Sequence, residues 1–210
     1  MACPRPPSRV GRGRAAEVRD NGGMPVTSFM VPLGTPAPGF DLPAVGGGHL
    51  SLDDIKGAPA TLVVFLSNHC PYVRRIEAGI GAFAADYADR VTIVAIGSND
   101  VVNYPDDDAG HLAEQAARAG FAFPYLIDET QEVARAYRAA CTPDFFLFDG
   151  ELRLAYRGEF DDARPKNDVP VTGASLRAAA DAVLSGTAVP EPQHPSLGCG
   201  IKWKPGNEPT

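Results

Sequence analysis

Cys70, Cys141 and Cys199 are the residues of this chain best placed to do chemistry. Cys70 stands between an apolar run, residues 61–66, and a segment that opens with Pro71-Tyr72 and repeats apolar residues at helical spacing. A cysteine where a buried strand feeds a helix meets the positive end of that helix, whose first N–H groups have no intrahelical partners. That setting lowers the thiol pKa and populates the thiolate, the nucleophilic form. Cys141 opens Cys141-Thr142-Pro143, directly before a second apolar run at residues 145–148. Cys199 lies between two glycines in a tail that also carries Lys202, Trp203 and Lys204. Thiols so arranged offer reversible redox chemistry: attack on a peroxide or disulfide, then capture of the product by a second thiol. Cys3 falls in an arginine-rich N-terminal segment and is expected to take no part.

The rest of the chain must position these thiols. With 210 residues, 44% of them hydrophobic and 21% charged, it can build one domain with a substantial core. A net charge of −7 argues against nucleic acid as a partner. No apolar run approaches the ~18 residues that span a bilayer. Four cysteines in unequal settings are too few for a disulfide scaffold. The N-terminal segment lacks the apolar stretch of a secretory signal, so a cytoplasmic location is expected. Residues 1–29 are read as a disordered extension, with Met24 as an alternative start, 30–186 as the folded domain, and 187–210 as a C-terminal tail packing on or near it.

After the extension, strands and helices alternate. Residues 61–67 and 91–96 read as strands buried on both faces. Tyr72, Ile76, Ile80, Phe83 and Tyr87 share one face of a helix over 72–88. The spacing predicts further helices over 109–119, stopped by Gly120, over 130–139 and over 172–185, with a short strand at 125–127. Residues 145–148 and 152–156 form a hairpin around Asp149-Gly150. Ser51-Leu52-Asp53-Asp54 suits the start of a short helix. The loop from Ser98 to Asp108 ends in an acidic run that is expected to be a solvated cap, with Asn99 and Tyr104 as candidates for substrate contact.

This order, with Ser67-Asn68-His69-Cys70-Pro71-Tyr72-Val73, Cys141-Thr142-Pro143-Asp144-Phe145-Phe146-Leu147-Phe148-Asp149 and the tail motif from Pro195 to Lys204, resembles the peroxiredoxin-like branch of the thioredoxin superfamily, the alkyl hydroperoxide reductase and thiol-specific antioxidant proteins with a redoxin domain. The likeness covers roughly residues 30–205. It implies an α/β thioredoxin-like fold, a central mixed β-sheet flanked by helices. It also implies that Pro143 is a cis-proline facing Cys70, in a Thr142-Pro143 loop beside the reactive sulfur. The chain departs from the pattern in three places. Val73 stands where a C-x-x-C protein has its second cysteine, so no local disulfide can form. Ser67 keeps the hydroxyl of the peroxidatic motif, but Val63 replaces its proline. The Thr142-Pro143 loop stands where those proteins carry an arginine, a role for which Arg74 and Arg75 are the nearby candidates.

The expected function is therefore that of a thiol-dependent oxidoreductase with antioxidant activity. Cys70 attacks a peroxide or disulfide, and Cys141 resolves it ahead of Cys199, which could act within the chain or across a homodimer. Thioredoxin or a low-molecular-weight thiol would be the reductant. His69 is a candidate for stabilising the thiolate. No cofactor is expected, and no C-x-x-C or H-x-x-x-H pair exists to nucleate a metal site. The competing reading is a non-catalytic docking module or redox sensor built on the same fold.

Overall fold

The computed structural model describes residues 25–208. Cys3, Met24 and most of the expected extension lie outside the described residues. Within that expected extension, Val26–Thr27 forms a strand, β1. A hairpin follows, β2 (Asp41–Pro43) and β3 (His49–Ser51), turning through Gly46-Gly47-Gly48. A short 3-10 turn over Asp53–Ile55 comes next, where Ser51 and Asp54 bond each other reciprocally.

β4 (Ala60–Phe65) is buried along its whole length, because only Thr61 among its side chains is polar. It occupies the centre of a five-stranded sheet in the order β6-β5-β4-β8-β9, with β5 at Val91–Gly97, β6 at Tyr125–Ile127, β8 at Asp144–Asp149 and β9 at Leu154–Gly158. β4, β5 and β6 run parallel, while β8 and β9 are antiparallel to their neighbours. Side chains alternate across β4. Leu62 and Val64 face one core with α1 (Pro71–Tyr87), Leu112 of α2 (Ala109–Ala119) and α4 (Ala174–Ser185). Val63 and Phe65 face the other, with α3 (Glu132–Tyr137) and Phe40 and Leu42 from around the first hairpin. There Phe65, Tyr137 and Phe146 meet edge to face at centroid distances of 5.6 to 5.9 Å. Burial of each Phe contributes about 1.5–3 kcal/mol.

Helix ends follow local chemistry. Gly120 stops α2 at φ 70, the left-handed cap expected of it. α3 is shorter than its apolar pattern suggests, because Gln131 and Arg138 take positive φ at its two ends. The hairpin strand starts later than expected, at Leu154, because Asp149 accepts the N–H groups of Glu151 and Arg153 and extends the turn.

A second small sheet, β1-β10-β7, sits at the end of β4 that leads to Cys70. β7 is Cys141–Thr142 and β10 is Leu197–Gly200, from the tail. No helix among the described residues is long and apolar enough to cross a membrane.

Candidate active site

The chain leaves β4, crosses residues 66–69 and enters α1 at Pro71. Cys70 is the N-cap, in extended conformation at φ −71 and ψ 120, and its carbonyl accepts the first helical bond from Arg74 N–H at 2.9 Å. Proline at the first helical position has no N–H to lose there. The Cys70 side chain is wholly buried. As a thiol it donates to the Thr142 carbonyl at 3.1 Å. Burial opposes its ionisation. The Cys199 thiol, the Thr142 hydroxyl and the N–H groups of Val73 and Cys199 together outweigh burial and bring the pKa down to about 6. A sulfur in this site is largely thiolate at neutral pH.

β10 supplies the second thiol. It lies antiparallel to β7 with Cys199 opposite Thr142 and Gly200 opposite Cys141. The approach requires glycine at position 198, where a Cβ would stand 2.0 Å from the Thr142 carbonyl oxygen. The Thr142–Pro143 peptide bond is cis.

Cys141 is set differently from Cys199 with respect to the Cys70 sulfur. Adjacent residues of an extended strand face opposite sides. Thr142 faces Cys70, so Cys141 turns away from it and donates to the Pro143 carbonyl at 3.6 Å. Burial, Asp144 and Cys70 push its thiol pKa up, so it stays protonated. Asp144, fully enclosed behind the loop, has its carboxyl pushed up to about 8 by burial, although the Ala140 N–H bonds one oxygen at 3.1 Å.

A residue outside the expected set organises the loop before Cys70. Asp107 is buried, not part of a solvated cap; Asp108 alone caps α2, accepting the His111 N–H at 3.0 Å. Asp107 accepts from Ser67 Oγ at 2.9 Å, Asn68 N at 2.7 Å, His69 N at 3.1 Å and Asn99 Nδ2 at 2.5 Å. His69 Nδ1 lies 2.9 Å from it. Burial works against the carboxylate, but His69, Asn99 and Ser67 hold its pKa below the usual range. The bond to Asp107 in turn raises the His69 pKa against desolvation. The His69 ring stacks on Tyr104, and Lys202 Nζ covers the ring of Tyr104 at 5.3 Å.

Ser67 Oγ donates to both carboxylate oxygens of Asp107. Arg74 donates to the Asn68 carbonyl at 2.7 Å and Arg75 to the Val169 carbonyl at 2.9 Å. Asn99 binds Asp107 and the Lys202 N–H and so ties the tail to the loop.

Residues 33–157 match the AhpC/TSA family. No curated protein matches the chain. Two solved structures are similar over most of it. A hypothetical protein from Sinorhizobium meliloti 1021 is 50% identical, covers 86% of this chain and 99% of its own, and superposes with a TM-score of 0.84. An uncharacterized conserved protein from Geobacillus kaustophilus is 51% identical, covers 86% and 97%, and also gives 0.84. The thioredoxin domain of a thiol-disulfide oxidoreductase from Bacteroides vulgatus is 18% identical over 70% of this chain and 96% of its own. Its TM-score of 0.54 shows a shared thioredoxin-like fold.

Proposed function

Because the chain belongs to the AhpC/TSA family, we propose that Cys70 is the nucleophile of a thiol-dependent oxidoreductase and that Cys199 is its resolving thiol. The observation that carries this is the place of Cys199 on β10, opposite Thr142, whose carbonyl accepts from the Cys70 thiol at the start of α1. The Cys70 thiolate attacks one oxygen of a hydroperoxide. An S–O bond forms, the O–O bond breaks, and the leaving alkoxide or hydroxide takes a proton. Cys199 then attacks the sulfenic acid; the disulfide forms and water leaves. With a disulfide substrate, the first step releases one thiolate and the second step the other. Thioredoxin or a low-molecular-weight thiol returns the pair to two thiols. Cys199 is partly exposed while Cys70 is buried, which favours attack of the reductant on Cys199 and departure of the less basic Cys70 thiolate.

Peptide mapping after one equivalent of hydrogen peroxide tests the proposal. The expected product has lost about 2 Da and links Cys70 to Cys199. In Cys199→Ser the Cys70 sulfenic acid should persist and react with dimedone. A Cys70–Cys141 link, or an unmodified Cys70 with both peroxide and disulfides, would overturn it.

A further inference from the structure

The edge of β7 beside Cys70 is already occupied. A disulfide carried on an extended polypeptide would reach the Cys70 sulfur by lying along Cys141–Thr142, whose Thr142 carbonyl touches that sulfur. β10 lies there instead, with its own cysteine opposite Thr142. The contact is too close for a second chain to share, since even a methyl group on Gly198 would stand 2.0 Å from the Thr142 oxygen.

β10 is also fastened on every side. On its outer edge β1 pairs Val26 with Gly198 and Thr27 with Leu197. Upstream, Ser196 N–H donates to Ser28 Oγ at 2.9 Å and Ser196 Oγ to the Gly158 carbonyl at 2.5 Å. Downstream, Ile201 N–H donates to the Ala140 carbonyl at 3.1 Å and Lys202 N–H to Asn99 Oδ1 at 2.8 Å. Gln131 grips the tail twice, donating to the Lys202 carbonyl at 2.9 Å and accepting from the Lys204 N–H at 2.7 Å. It does so from a left-handed backbone at φ 64, a conformation costly for a residue that is not glycine. Beside Pro143, Tyr72, Ile76, Phe160 and Leu197 line a small cleft that no segment of the chain fills.

We infer that β10 is a fixed internal occupant of the polypeptide position, and that Cys70 therefore takes its oxidising equivalents from small molecules, a hydroperoxide or a low-molecular-weight disulfide, and not from protein disulfides. The inference rests on Cys70 being the nucleophile. The step is disulfide exchange: the Cys70 thiolate forms a bond to one substrate sulfur, the second substrate sulfur leaves as thiolate, and Cys199 displaces the first.

The test compares two probes of equal S–S chemistry on the reduced wild-type chain. One is cystamine. The other is a short extended peptide bearing a cysteamine mixed disulfide on a central cysteine. Appearance of the Cys70–Cys199 disulfide is followed by quenched mass mapping. Cystamine should react at least about a hundred-fold faster than the peptide, access being the only difference. Equal rates would refute the inference and leave the nucleophile intact. No reaction of Cys70 with cystamine or with hydrogen peroxide would instead refute the function on which it rests. Gln131→Ala, which releases the downstream anchor, should raise the peptide rate at least about ten-fold and leave the cystamine rate within about two-fold. A peptide rate unchanged in a folded Gln131→Ala chain that still shows the wild-type ratio assigns the exclusion to burial of Cys70 alone and refutes the role of β10. The wild-type ratio is readable whether or not the variant folds.

Discussion

Replacing Cys199 with alanine removes the thiol that donates to the Cys70 sulfur and leaves the backbone of β10, including the Cys199 N–H, in place. A hydrogen bond to a charged group contributes about 1.5–3 kcal/mol. At about 1.4 kcal/mol per pKa unit, its loss raises the Cys70 pKa by about one to two units. The wild-type value of about 6 should therefore move to about 7–8. The thiolate fraction at pH 7 should fall from about 90% to about 10–50%. The assay is alkylation by iodoacetamide across pH 5 to 9, read peptide by peptide so that Cys3 does not contribute. The midpoint of the profile is the readout, because a more basic thiolate is intrinsically more nucleophilic and partly hides the shift in the rate at any single pH. Cys141 should be silent across this range, since its pKa is pushed up by burial. Cys199→Ser keeps a donor and should fall between wild type and alanine. A midpoint that stays near 6 in Cys199→Ala would mean that the helix start and the Thr142 hydroxyl suffice, and would remove the reason for giving Cys199 a part in activating Cys70.

Cys141→Ala should form the Cys70–Cys199 disulfide at the wild-type rate and lose about 1 kcal/mol of stability by urea denaturation; a lost disulfide would restore Cys141 as the resolving thiol. Asp107→Asn takes the charge from the carboxylate that gathers Ser67, Asn68, His69 and Asn99, and should cost about 3–5 kcal/mol while bringing the His69 pKa down, as read by NMR titration. An unchanged His69 titration would separate the two residues. Asp144 titrates at about 8 in the fold and near 4 when unfolded, so between these values the folded chain holds a proton that the unfolded chain has lost. Stability should fall as pH rises through that window, and Asp144→Asn should flatten the slope, gaining a few kcal/mol, at most about 5, at pH 8 relative to pH 4. Parallel slopes in the two chains would refute the burial of an acidic proton there.

Cys70 was legible in the sequence because its cues are local: an apolar strand on one side, proline at the first helical position on the other. The helix over Ala109–Ala119 was legible for the same reason, with Asp108 and Gly120 marking its ends. Asp107 was not. Next to Asp108 it reads as one more acidic cap residue, and its partners Ser67, Asn68 and His69 lie 38 to 40 positions away in the chain. Only the fold brings that loop over the end of β4. The proposed resolving thiol differs from the expected one at a subtler point. Proximity in sequence to Thr142-Pro143 favoured Cys141, but proximity along an extended strand alternates in space. Two signals pointed the other way: that alternation, and the glycines on both sides of Cys199, which in a strand mark a close backbone approach. One of them, Gly198, is the residue pressed against the Thr142 carbonyl.

Val73 shows why the second thiol had to come from elsewhere. It is wholly buried in the core beneath α1, so the position that would hold the partner of Cys70 in a C-x-x-C loop is spent on packing. In the proposed mechanism the strand position offers in exchange a thiol that serves twice. Before reaction, the Cys199 S–H donates to the Cys70 sulfur, so the pair shares one proton and the charge rests on the sulfur at the helix start. Once Cys70 carries oxygen, its sulfur no longer holds that charge and the proton loses its acceptor. In the condensation it leaves with the sulfenic hydroxyl as water, and the sulfur that donated becomes the sulfur that attacks. Activation and resolution are then one contact at two stages of oxidation. A single substitution at Cys199 should therefore both raise the Cys70 pKa and strand the sulfenic acid. A variant that did one without the other would show that two separate groups perform the two tasks.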